Sequence, residues 1–358
     1  MLTTFGHLPS REALSLFYTI SLLLALGTLA YLLYAYSASR RSVSSSPAPA
    51  ISATVPARDW LIHGLGALWL LDGLLQAQPL MVTRFLGGVV APLISGQPAP
   101  VAWLIGVGMR LWSLSPILWN VVAEFTQIGI GLGLLFGRPD RGQRVALWVS
   151  LLWGTIVWIG GEGLGGIFAG GGWLTGAPGS VFLYMCAALL LLGPRQWWEG
   201  GRPRHILRRF LVGLWLLLLV LQAWPPAGWW TGTVLGGYVL SMASMPQPAL
   251  FSAPLYAWAH SLALHPVIWN ALLCASLAIL AVLWVTRPDS RWVWWATLLW
   301  VFLGWWLGQD FGVLGGMGTD PNSGAILLLG LVVYGDLAGV IALPRWHWFK
   351  RPAPSSPS

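Results

Sequence analysis

Charge is scarce in this chain. Only 8% of its 358 residues are charged, 56% are hydrophobic, and the mean hydropathy is +0.70, far from a water-soluble composition. The single lysine is Lys350. Cysteine is equally sparse: Cys186 and Cys274 both lie inside apolar runs, which argues against a structural disulfide and leaves the redox compartment open. Walker A, HExxH, CxxC, GxSxG and EF-hand patterns are all missing, so no soluble-enzyme chemistry is indicated. The net charge of +8 does not point to nucleic acid, because no basic face is interleaved with polar residues. What the chain has instead is apolar runs bounded by Arg and Pro, each near the ~20 residues that span hydrocarbon. It also has 26 tryptophans, a residue that collects at membrane–water interfaces. The lipid bilayer is therefore the first partner, and the expected class is an all-α polytopic membrane protein.

The sequence repeats itself. Gln97-Pro98-Ala99, Ser115-Pro116-Ile117-Leu118-Trp119-Asn120 and Arg138-Pro139-Asp140 return as Gln247-Pro248-Ala249, His265-Pro266-Val267-Ile268-Trp269-Asn270 and Arg287-Pro288-Asp289, at offsets of 150, 150 and 149. Upstream, Leu68-Trp69-Leu70-Leu71 and Gln76 pair with Leu214-Trp215-Leu216-Leu217 and Gln222. Downstream, Gly161-Glu162-Gly163-Leu164-Gly165 faces Gly308-Gln309-Asp310-Phe311-Gly312. One copy can thus serve as a control for the other.

Nine spans are expected, near 13–36, 60–78, 118–136, 145–165, 180–193, 210–224, 267–286, 292–312 and 324–343. The first is too long for the apolar core of a cleaved signal peptide and is read as a membrane helix. The loops 38–59, 137–144, 194–209, 287–291 and 344–358 hold 16 of the 19 Lys and Arg, and all five share one side only with nine spans and the N-terminus outside. The organisation that follows is an N-terminal helix (1–41), a Ser/Pro/Ala-rich flexible linker (42–57), a four-span repeat (58–194), a basic cytoplasmic linker (195–209), a second repeat (210–344) and a cytoplasmic tail (345–358). An even number of spans per repeat makes the copies parallel. The outer excursions 79–116 and 225–265 are too apolar for ordinary loops and predict proline-bounded helices at the interface. The Gly-rich turns 170–179 and 315–324 must be shielded by protein or line a wet cavity.

Ionisable groups inside spans are costly and mark function or pairing. They are Asp72, Glu124, Glu162, Asp310 and Asp336. Asp72 aligns with Leu218 and Glu124 with Cys274, while Glu162 aligns with Gln309, with Asp310 displaced by one; the fold therefore does not require the mid-span acids. Asp72 shares a helix face with Gln76, and Glu124 with Gln127, which predicts one polar pocket in the outer half of the first repeat, with Glu162 at its mouth. Asp310 is expected to cap, and Asp336 to snorkel or pair with an arginine. Arg84 and Arg110 read as interfacial anchors. No two histidines fall at matching depth on separate spans, so no haem is expected; a metal site at His260 and His265 is poorly spaced, and no metal is assigned.

The run Asn120-Val-Val-Ala-Glu124-Phe-Thr-Gln-Ile-Gly-Ile-Gly-Leu-Gly-Leu-Leu-Phe-Gly-Arg138 resembles the DoxX/DoxD family, four-span bundles whose DoxD members are membrane subunits of thiosulfate–quinone oxidoreductase. The tandem layout, Trp-Leu-Leu-Asp72-Gly-Leu-Leu-Gln-x-Gln-Pro79 and Gly-Glu162-Gly-Leu-Gly-Gly with Thr-Gly-Ala-Pro178-Gly are similar to bacterial integral membrane proteins without assigned function. The resemblance implies a bacterial cytoplasmic-membrane protein serving a quinone-linked oxidoreductase. A separate soluble or membrane subunit would hold the redox centre. Glu124 or Asp72, with Glu162, would handle a proton, and Gln76, Gln127, Trp69 and Trp119 would line the quinone site. A small-molecule or ion permease using the same acids, and a non-catalytic scaffold or assembly factor, are the alternatives. In either functional reading, single cysteines introduced at positions 140 and 200 should be labelled from the cytoplasm alone in intact cells. Labelling from outside contradicts this topology.

Overall fold

Proline starts many of the helices and glycine ends several. Pro56, Pro79, Pro116 and Pro266 occupy first or second helical positions, where the missing N–H costs nothing. The computed structural model describes residues 10–41, 55–139 and 141–344; most of the expected linker and all of the tail lie outside them. The described residues form helices joined by turns, with no strand. In chain order the helices are α1 (Ser10–Arg41), α2 (Pro56–Gln76), α3 (Pro79–Phe85), α4 (Ala99–Leu114), α5 (Pro116–Phe136), α6 (Gly142–Gly160) and α7 (Ser180–Leu192). There follow α8 (Arg195–Glu199), α9 (Arg202–Ala223), α10 (Gly232–Ala243), α11 (Ala249–Leu264), α12 (Pro266–Thr286), α13 (Arg291–Leu307) and α14 (Asn322–Leu337).

Among the described residues, five helical stretches are long and apolar enough to cross a membrane: Arg11–Ala30 and helices α5, α6, α9 and α12. Helix α2 and the segment Pro79–Ile94, bent by 70° against each other, together make a sixth. The expected segments 180–193, 292–312 and 324–343 form shorter helices, with 13 residues in α7, 17 in α13 and 16 in α14. Helices α6 and α13 stop at Gly160 and Leu307, before the expected ends at 165 and 312, because the chain turns into left-handed geometry at 163–165 and 310–312. The excursions do form helices, α3 and α4 in the first and α10 with α11 in the second.

Helices α2 and α5 pack backbone against backbone. A Cβ on Gly131 would lie 2.7 Å from the Leu70 backbone nitrogen and 2.8 Å from the Gly66 carbonyl oxygen, and one on Gly73 would lie 3.0 Å from the Glu124 carbonyl oxygen. Small residues let these backbones touch, which is how apolar helices associate where the hydrophobic effect gives little. The matching positions 212, 219 and 281 hold Val, Leu and Ala. There, Arg208 ties α9 to α12 through the carbonyls of Trp284 and Val285.

Helix α14 joins the two halves. Leu329 seats its methyl carbons over Gly64 of α2. The halves also exchange turns. Trp173, from the α6–α7 turn, is buried between Trp215 and Trp300, with ring centroids 5.9 and 6.1 Å away, and packs on Gly304. In return the α13–α14 turn reaches the first half, where Gln78 donates to the Gly318 carbonyl at 3.1 Å. Helix α1 stands mostly exposed, with Phe17 buried against Val82 and Val121.

Two glycines on one helix test this packing. Gly131→Ala should lower stability by roughly 1–3 kcal/mol through overpacking against backbone. Gly129→Ala, which meets nothing within 4 Å, should be neutral or slightly stabilising. Detergent-micelle unfolding measures both; equal effects contradict the close approach.

Candidate functional site

The turns after α6 and α13 share one construction. Leaving a helix exposes carbonyls, and starting the next exposes N–H groups that need acceptors where water is scarce. Glu162 supplies one: its Oε1 accepts from Ser180 Oγ at 2.6 Å and from the Val181 N–H at 3.1 Å, at the start of α7. Gln309 does the same for α14, its Oε1 accepting from Ser323 Oγ at 3.3 Å and the Gly324 N–H at 3.2 Å. Indoles brace both turns, Trp158 donating to the Pro178 carbonyl at 2.8 Å and Trp305 to the Pro321 carbonyl at 2.6 Å. Amides brace them again: Gln97 donates to the Gly163 carbonyl at 2.9 Å, and Gln247 to Asp310 Oδ2 at 2.8 Å. The expected capping role of Asp310 thus falls to Gln309. Asp310 instead holds Gln247, and its other oxygen is buried without a partner.

Between these turns and the excursions lies a cavity of about 470 Å³, lined by Gln97, Glu162, Thr175, Trp229, Tyr238 and Asp320 among others. Its floor is glycine for a reason. Gly165 and Gly179 have φ of +63° and +101°, and Cβ atoms there would lie 1.9 Å from the Pro178 carbonyl oxygen and 2.2 Å from Glu162 Oε2. Three buried polar atoms of the lining residues have no partner: Gln97 Oε1, Glu162 Oε2 and Trp229 Nε1. Glu162 stands beyond the end of α6, and burial, with the Asp320 carboxyl as a second cause, raises its pKa from 4.5 to about 8. Burial raises Asp320 as well, against hydrogen bonds from Thr319 and the Asn322 N–H.

Asp72 lies within electrostatic reach of these two acids. It is 2% exposed, and neither of its oxygens has a partner in hydrogen-bond geometry. The Tyr184 hydroxyl interacts with it and is equally unpartnered. Trp69 packs edge-on to Tyr184 at 5.2 Å and donates to Ser150 Oγ at 2.8 Å. The first half thus runs from cavity acids to a buried carboxyl, a phenol and an indole.

The pocket expected between Asp72 and Glu124 does not form. Gly73 lies against the Glu124 backbone carbonyl, and the carboxyls that act on Asp72 are those of Asp320 and Glu162, not that of Glu124. Glu124 turns to α1, where Ser21 Oγ donates to its Oε2 at 2.7 Å. Gln76 donates to Asn120 Oδ1, just as Gln222 donates to Asn270 Oδ1 at 2.8 Å, so this pair is framework common to both halves. Gln127 is buried with Oε1 unpartnered, while Trp119 is 37% exposed and lines no interior site. Asp336 accepts from the Leu343 N–H at 2.8 Å, which replaces the expected arginine. His260 and His265 are exposed, and among the described residues no three His, Cys, Asp or Glu cluster as metal ligands.

Asp320, Tyr184, Gln97, Trp229 and Tyr238 escape a search for charges inside spans, because most lie in turns and excursions or carry no charge. One signal was available: Asp320 is an acid in a Gly-rich turn. Comparison of the chain with protein-family models, with curated proteins and with solved structures finds no match.

Because Glu162 holds its proton to higher pH folded than unfolded, the stability this contributes is present at acid pH and is lost between its ordinary 4.5 and about 8. Unfolding midpoints should therefore fall as pH rises through that window, and Glu162→Gln should flatten the slope. An unchanged slope in the variant contradicts a proton held at Glu162.

Proposed function

We propose that this is a nine-span bacterial cytoplasmic-membrane protein, one N-terminal helix followed by two parallel DoxX-like four-helix units, with the N-terminus outside. Its function in this reading is that of the membrane subunit of a quinone-linked oxidoreductase, with a separate subunit holding the redox centre. The repeated Gln–Asn pairs, indole braces and turn geometry support the two-unit architecture. The arginine distribution supports the orientation, which places the cavity on the outer side.

The observation that carries the functional reading is the pairing of unmatched donors and acceptors around acids that lead inward. Trp229 Nε1 is a donor suited to a quinone oxygen, and Gln97 Oε1 is an acceptor suited to a quinol hydroxyl. Unpartnered buried polar atoms on residues that line a cavity of ligand size support a binding site there. A bound quinone would supply two-electron, two-proton chemistry. Glu162 and Asp320 would exchange its protons, with Asp72 behind them as the buried carboxyl. Glu124, bound to Ser21, has no part in this path.

Protein extracted in mild detergent should carry quinone recoverable by solvent extraction. Glu162→Gln and Asp72→Asn should reduce it several-fold while leaving the helical content intact. Absence of quinone, together with a proton-coupled flux in liposomes that Asp72→Asn abolishes, would overturn this reading in favour of a permease.

A further inference from the structure

A second cavity, of about 380 Å³, lies far along the chain from the chamber residues of the first half, at the start of α9. His205, Arg208, Arg209 and Val212 line it from α9, and Val285 closes it from α12. Arg208 is committed: its Nε donates to the Trp284 carbonyl at 3.1 Å and its Nη2 to the Val285 carbonyl at 2.6 Å. Those carbonyls belong to the last turn of α12, where helix geometry leaves acceptors open, so the guanidinium is fixed in place. Arg204 is also taken, by Asp289 at 2.5 Å. His205 and Arg209 are different. Both are exposed, stand one turn apart on the same face, and among the described residues have no hydrogen-bond or ion-pair partner.

The same face of α9 changes character further along. Beyond Val212 it presents Leu216 and Val220, 49% and 60% exposed, one turn apart. Helix α12 packs alongside and exposes Val285, Val282 and Ile279 at 52%, 59% and 57%. A cationic recess thus opens onto an apolar groove between two helices that are each long and apolar enough to cross a membrane. A free phosphate would use only the recess, and a soluble acidic peptide would leave the groove uncovered. An amphiphile uses both.

We propose that the recess seats the phosphate of an anionic glycerophospholipid, held by His205 and Arg209 beside the fixed Arg208, with an acyl chain along the α9–α12 groove. Fixed Arg208 distinguishes this from diffuse attraction, because one cation is already ordered before the lipid arrives. The site is independent of the chamber and of its ligand.

Native mass spectrometry of the full chain in mild detergent, with phosphatidylglycerol and phosphatidylcholine in competition, tests it. The wild type should retain one phosphatidylglycerol with a preference of at least about tenfold. The double variant His205→Gln, Arg209→Gln should lose that preference. Arg144→Gln, which removes an exposed arginine from another basic loop, should keep it. All three proteins should unfold at the same temperature in lipid-free detergent, because the substituted side chains are exposed. The proposal fails if the double variant keeps the preference or if Arg144→Gln loses as much. It fails too if inorganic phosphate displaces the lipid, which would make the recess a free-anion site.

Discussion

The turns that follow α6 and α13 must leave helical geometry at one end of an apolar bundle and still satisfy their backbone. The solution is the same twice: one side-chain oxygen reaches across to the N–H groups of the next helix, braced by an indole and an amide. The capping residues of the two copies differ in one functional group. Gln309 supplies a neutral amide oxygen, which caps and does nothing else as pH changes. Glu162 supplies a carboxyl that caps equally well and can also hold or release a proton. The geometry that stabilises the fold thereby puts a titratable oxygen at the wall of a cavity, and the rest of the site is arranged around it.

The exchange of turns makes the two halves chemically unlike. Trp173 enters the second half and fills the space near Trp215, Trp300 and Gly304, leaving Leu218 in dry surroundings where the first half has Asp72. Asp320 goes the other way and adds a third carboxyl near Asp72 and Glu162. Three acids within reach of one another resist full ionisation, so protons are retained among them. A chain in which both halves carried the second half's residues at these positions would keep its helices and lose the site.

The all-helical class and the presence of apolar helices long enough to cross a membrane could be read from the sequence because they rest on composition and spacing. Gln76 with Asn120 and Gln222 with Asn270 form the same pair in each half, although Gln76 had been expected to line a binding pocket. Helix lengths were less accessible. The expected spans ran on through 161–165 and 308–312, but glycines and left-handed residues there end the helices early. The Asp72–Glu124 pocket failed for a geometric reason: helix-face arguments place residues on a helix, not the direction from which the neighbouring helix arrives. At Gly73 the α5 backbone comes close to α2. Asp320 was hidden because its contacts cross from one half to the other, a relation that no local spacing encodes.

The central claim is that Glu162 keeps its proton near neutral pH inside the folded protein. Infrared spectroscopy of the carboxyl carbonyl stretch, recorded against pH for the wild type and for Glu162→Gln, tests it most directly. The account predicts a protonated-carboxyl band at neutral pH that is absent from the variant and fades as pH rises past about 8. No such band at neutral pH, or an identical band in the variant, would contradict it.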